Sequence, residues 1–105
     1  MKTIENNTDF NSLIAQNNPI LLDFYADWCG PCRSLLPTVE KLAKDYEGKI
    51  EIQKVNVDQN SELAAKFGVR SIPALFFLKD KQVVDQSTGA LPEGVLREKL
   101  EALLN

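Results

Sequence analysis

The stretch Ile20-Leu21-Leu22-Asp23-Phe24-Tyr25-Ala26-Asp27-Trp28-Cys29-Gly30-Pro31-Cys32 decides how this chain reads. Its first six residues are a short apolar run bounded by Pro19 and a turn, the pattern of a β-strand covered on both faces. Asp23 alone interrupts it. Past Cys32, the residues Leu35, Val39, Leu42 and Tyr46 recur at steps of four, three and four. That spacing predicts an amphipathic helix from Cys29 or Gly30 to Tyr46, closed by Gly48. Pro37 lies inside it, offers no N–H to the Arg33 carbonyl, and predicts a bend one turn after Cys32.

Working towards the N-terminus, Thr8 is the candidate cap of a short helix whose Phe10, Leu13 and Ile14 share a face, ending near Asn17-Asn18-Pro19. Towards the C-terminus, the β-branched stretch Ile50 to Val57 predicts a strand with Ile50, Ile52, Val55 and Val57 as core candidates. Ser61 is the candidate cap of a helix reaching Phe67-Gly68. Ala74 to Leu78 and Gln82 to Val84 flank Lys79-Asp80-Lys81, a spacing for an antiparallel hairpin without the favoured Asn-Gly. Pro92 suits a helix start, Glu93 and Arg97 stand four apart, and Leu96, Leu100 and Leu103 form a stripe. The element order is strand, helix, strand, helix, strand, helix, strand, strand, helix. Parallel crossovers followed by a hairpin predict an α/β three-layer sandwich, one domain over residues 1–105.

Bulk properties narrow the function. The chain has 105 residues, 44% of them hydrophobic, enough for one core without staples. Its 12 basic and 15 acidic residues are mixed along the sequence, so no cationic stripe suits a phosphate backbone, and nucleic acid is excluded as a partner. No stretch approaches the ~20 apolar residues of a membrane span, and the start lacks the apolar core of a secretory signal. A cytoplasmic location is expected.

The two cysteines carry the chemistry. At a helix start, unpaired N–H groups and the positive end of the dipole stabilise an anion, so Cys29 is expected to ionise below the free-thiol value of about 8.5. Cys32, three residues on, lies roughly 4.5 Å along the helix and about 300° around it, within disulfide reach. Attack by Cys29 on a target disulfide and displacement by Cys32 then form a complete exchange. Gly30 lets backbone approach backbone, and Pro31 loses no N–H at a helix start. Two other readings stay open. The pair would be half a zinc site if other ligands joined it, although the chain has no His and no further Cys. It would be an inert staple if it never opened, although so short a loop removes little unfolded-chain entropy.

Asp23 and Trp28 divide in the same way. A buried, unpaired carboxylate costs several kcal/mol when charged, so its pKa should climb towards neutrality, a value useful for moving protons. The alternative is a half-exposed Asp with ordinary chemistry. Trp28 is either a core residue or, beside Cys29, a docking platform.

Trp28-Cys29-Gly30-Pro31-Cys32 after Asp23-Phe24-Tyr25-Ala26-Asp27 resembles the thioredoxin family. So do Pro37, Lys54-Val55-Asn56-Val57-Asp58, Ile72-Pro73 and Gly89-Ala90, in order and spacing over nearly the whole chain. The resemblance implies a thioredoxin-like three-layer sandwich with a five-stranded mixed sheet flanked by four helices. It implies protein disulfide reductase activity with no cofactor beyond the Cys29–Cys32 pair, and recharging by a thioredoxin reductase that draws on NADPH or ferredoxin. It further implies action on disulfide-bearing proteins, and a monomer is expected. Within it, Ile72-Pro73 is a cis peptide whose Ile72 backbone pairs with substrate; the residues alone mark Pro73 only as a strand-entry proline. Asp23 takes the Cys32 proton through water, tempered by the charge of Lys54. Trp28, Gly30, Pro31, Val57, Ile72, Pro73, Gly89 and Ala90 form a flat apolar docking surface.

Tyr25, Ser71, Ala74, Lys81 and Thr88 depart from the usual family residues, which bears on partner preference and hairpin geometry. A more oxidising oxidase or isomerase, and a non-enzymatic binding module, are the competing functions. Gly-Pro between the cysteines argues against the first, since oxidising members usually carry His there.

Overall fold

The computed structural model describes residues 1–105. Its elements are β1 (Thr3–Ile4), α1 (Asn7–Ala15), β2 (Ile20–Tyr25), α2 (Gly30–Asp45), β3 (Glu51–Asn56), α3 (Ser61–Lys66), β4 (Ala74–Lys79), β5 (Gln82–Thr88) and α4 (Glu93–Leu104). This is the order read from the sequence. The first strand, to which no pattern assigned residues, is only two residues long and sits at the sheet edge.

The five strands form one mixed sheet in the order β1-β3-β2-β4-β5. β2 is central, parallel to β3 and antiparallel to β4. A central strand buries both faces, which is why its run is apolar throughout. Alternation sends Ile20, Leu22 and Phe24 to a core shared with Phe10 and Leu13 of α1 and Leu63 and Ala64 of α3. Leu21 goes to the opposite core, with Leu35, Val39 and Leu42 of α2 and Leu96, Leu100 and Leu103 of α4. The helix stripes read from the sequence are thus the two outer layers. α2 continues unbroken through Pro37, which is exposed.

The core residues expected of β3 divide between the two layers: Ile50 and Ile52 face α2 and α4, while Val55 faces α1 and α3. Val57 lies just past the strand, half-buried against both the α1/α3 core and the cysteine cluster.

Both expected helix caps are displaced. Asn6, not Thr8, caps α1: its Oδ1 accepts the Asp9 N–H at 2.8 Å, and Thr8 is an exposed residue of the first turn. Asn60 occupies the cap position of α3, and Ser61 is its first helical residue. The Asn60 side chain turns back to donate to the Asn56 carbonyl at 3.1 Å instead of capping. In each case an asparagine takes the position before the helix, Asn6 through its side-chain cap and Asn60 through a bond to the preceding turn.

The β4–β5 turn is made by Asp80 and Lys81, with φ of 53° and 68°. Two successive left-handed residues are the signature of a type I′ hairpin turn. One residue of β5 is additional: Leu78 pairs Val83 and Phe77 pairs Asp85, leaving Val84 without a partner in a β-bulge.

Candidate active site

The site grows from the junction of β2 and α2. Cys29 is the N-cap of α2, in extended backbone, and its Sγ accepts the Cys32 N–H at 3.2 Å. Proline at the first turn sacrifices no hydrogen bond there. Cys29 and Cys32 are joined by a disulfide, with Cα atoms 5.2 Å apart. Both are 4% exposed, so accessibility does not distinguish them. Position does, because only Cys29 stands at the end of the helix with its sulfur against a free amide. No group of three His, Cys, Asp or Glu side chains suited to a metal surrounds the pair.

Ala26, Cys29 and Cys32 form a small buried cluster against which Tyr25, Val57 and Ile72 pack. Ile72-Pro73 is a cis peptide, and the Ile72 carbonyl oxygen lies 3.9 Å from Cys29 Sγ. Gly89, with φ of 87°, donates its N–H to the Pro73 carbonyl at 2.8 Å, which ties the end of β5 to this loop. Trp28, Gly30 and Pro31 are exposed, as is Ala90, while Pro73 is buried. Of the expected docking residues, Val57 and Ile72 thus pack against the cysteines, Trp28, Gly30 and Pro31 adjoin them in the chain, and Gly89, followed by Ala90, is tied to Pro73.

Asp23 and Lys54 belong to the strands beneath. Asp23 is 2% exposed and faces the layer of α2, like Leu21 two residues earlier. The half-exposed reading of Asp23 is therefore wrong. Burial pushes its pKa from 3.8 up to about 7, and the positive charge of Lys54 pulls in the other direction. The Oδ1 atom of Asp23 has no hydrogen-bond partner. Lys54 is half-buried, with its Nζ 5.4 Å from the centre of the Tyr25 ring.

Trp28 is 69% exposed and so forms part of the surface, not of the core. Its indole N–H donates to Asp58 Oδ2 at 2.8 Å. This partner was missed, since nothing in the spacing joins residues thirty positions apart. Asn56 was missed too. Its Oδ1 accepts the N–H groups of Asp58 and Gln59 at 2.9 and 3.3 Å, folding the loop that presents Asp58 to Trp28. A buried Asn at a strand end is a turn signal. Arg33, one residue past Cys32, donates to the Asp27 carbonyl at 2.8 Å and braces the same turn.

The geometry has close counterparts. The Thioredoxin family model matches residues 2–102. The thioredoxin of Chlorobaculum thiosulfatiphilum is 46% identical over 89 residues, covering 85% of this chain and 82% of that protein. That of Haemophilus influenzae is 49% identical over 89 residues, covering 84% and 83%. The X-ray structure of Fasciola hepatica thioredoxin superposes with a TM-score of 0.90 at 43% identity, over 97% of this chain and 98% of that one. With a disulfide-forming pair at the start of α2 and this match along its length, the chain belongs to the thioredoxin family of thiol-disulfide oxidoreductases.

Proposed function

We propose that the chain is a general protein disulfide reductase, one catalytic domain over residues 1–105, with Cys29 as the attacking sulfur and Cys32 as the resolving one. The observation that carries this assignment is the Cys32 N–H held 3.2 Å from Cys29 Sγ at the mouth of a helix of 16 residues. After reduction, that amide and the helix dipole favour the Cys29 thiolate. The thiolate attacks one sulfur of a target disulfide, forming a Cys29–target bond and releasing the other target sulfur as a thiolate that takes up a proton. Cys32 then loses its proton to the Asp23 carboxylate through water and attacks Cys29 Sγ. The Cys29–Cys32 bond forms, the mixed disulfide breaks, and the second target sulfur leaves with the electron pair. Two electrons have passed to the target.

An Asp with a pKa of about 7 exchanges protons readily in both directions near neutrality, which suits this role. Lys54 keeps that value from rising further. The rim formed by Trp28, Gly30, Pro31, Val57, Ile72, Pro73, Gly89 and Ala90 receives an exposed target segment by apolar burial and pairing with the Ile72 backbone. The pair is its own redox group and is returned to the dithiol by a thioredoxin reductase. A monomer working in the cytoplasm fits the family resemblance.

The assignment is tested by reduction of a disulfide-linked protein followed as turbidity, with Cys29→Ser and Cys32→Ser beside wild type. Cys29→Ser is expected to be inactive, and Cys32→Ser to hold the target as a mixed disulfide on Cys29 visible by mass. Equal activity in all three would end it. Equilibration with glutathione fixes the direction: a potential near about -200 mV would instead support an oxidase or isomerase.

A further inference from the structure

On the sheet face away from α2 lies an open groove of about 510 Å³ that the redox chemistry does not use, bounded by α1, the end of α3 and the β4–β5 hairpin. α3 ends at Lys66, and Lys66 and Phe67 at its end line the groove together with Phe10, Asn11 and Ile14 of α1. Its floor is aromatic. Phe67 meets Phe10 edge-on with ring centres 5.5 Å apart and Phe76 at 5.1 Å.

The hairpin wall is shaped by the bulge at Val84. Val83 pairs Leu78 and Gln86 pairs Phe76, so both line the groove although they are three positions apart. In a regular strand such residues point to opposite faces. The additional residue corrects the phase, and it leaves Val83 47% exposed in the groove wall.

Two cations complete the rim. Lys66 holds its Nζ 5.0 Å from the centre of the Phe10 ring, and Lys81 stands in the hairpin turn at φ 68°, a conformation that favours glycine. Neither lysine has an ion-pair partner, and no acidic residue lines the groove. This is a locally positive, apolar concavity in a chain of net charge -3. Its volume is that of small-molecule sites, roughly 300–1,000 Å³, which combine apolar walls with a few polar groups.

From this charge complementarity we infer that the groove binds a small amphiphilic carboxylate: an alkyl body lies against Phe67, Phe76 and Val83, and its anionic end meets Lys66 and Lys81. A neutral apolar molecule of the same size leaves both ammonium groups unused, and a small hydrophilic anion leaves the aromatic floor bare. The site therefore requires both halves of the ligand.

The test is a titration of the ¹⁵N-labelled protein with decanoate, below its micelle concentration, followed by amide chemical shifts. Saturable changes are expected at Ile14, Phe67 and Val83, with Trp28 and Cys29 unmoved. Decan-1-ol is expected to bind about tenfold more weakly, and the Lys66→Gln/Lys81→Gln variant to weaken decanoate by about tenfold, as for the loss of a charge-assisted contact. Both lysines are exposed, so the double variant keeps the fold, which its amide spectrum verifies. The inference is overturned if decan-1-ol binds as tightly as decanoate, if the double variant binds unchanged, if shifts centre on Trp28, or if they never saturate.

Discussion

Asp23 and Lys54 stand directly opposite each other in the parallel ladder of β2 and β3, and no ion pair joins them. The carboxyl is therefore neither neutralised nor hydrogen-bonded at Oδ1, and burial dominates its behaviour. The folded protein holds this proton more tightly than the unfolded chain. Stability from the protonated group is fully present below about 3.8 and is lost as pH rises through about 7. Replacing Asp23 by Asn should remove that loss, making the variant more stable than wild type at pH 8 by on the order of 4 kcal/mol at most. Urea unfolding of the oxidised proteins at several pH values checks this; parallel curves for the two would refute it.

The same carboxyl sets a kinetic expectation. If Asp23 accepts the Cys32 proton, Asp23→Asn should slow resolution of the mixed disulfide by about 10²-fold while leaving the first attack by Cys29 unchanged. Single-turnover mixing with a labelled disulfide separates the two steps. Lys54→Met should move the pH dependence of resolution upwards, because the charge that lowers the Asp23 pKa is gone.

Asp58→Ala leaves the Trp28 indole N–H to water. Because Trp28 is largely exposed, the expected loss of stability is small, about 0.5–1.5 kcal/mol. The larger effect should fall on target docking, as a rise in KM with kcat retained, since the ring loses its orientation beside Cys29. Steady-state kinetics with a protein disulfide, alongside Trp fluorescence, measures both. A fall in kcat alone would refute it.

Lys81→Gly should stabilise the protein by about 1 kcal/mol, because the residue already occupies a left-handed conformation that a Cβ disfavours. Thermal unfolding at neutral pH is the measurement, and an unchanged or lower midpoint would contradict the expectation.

What the sequence made legible is what depends on near neighbours. The apolar run of β2 and the Leu35, Val39, Leu42, Tyr46 stripe identify a central strand and a covering helix, because burial imposes a period on each. Cys29 and Cys32 were legible as a pair because three positions at a helix start bring two side chains within reach of each other. Thr3–Ile4 was not, since two residues at a sheet edge carry no period of their own and gain their pairing from Lys54 and Val55. Asn56 marks a turn locally, but the Trp28–Asp58 bond that this turn permits joins residues thirty positions apart and has no signature in the spacing. The choice of Asn6 over Thr8, and the bulge at Val84, turn on competition among adjacent residues that share the same preferences. Pattern alone cannot rank them.

The two faces of the sheet are clad unequally, by helices of 16 and 12 residues on one side and of 9 and 6 on the other. Local opening is cheapest where cladding is thinnest, so amides of α3 should exchange with deuterated water well before those of α2. Because α3 is flanked by the turn that carries Asp58 and by the segment that leads to Ile72-Pro73, its breathing reaches the docking loops, while the turn that holds the thiols, seated on the longer α2, keeps its shape.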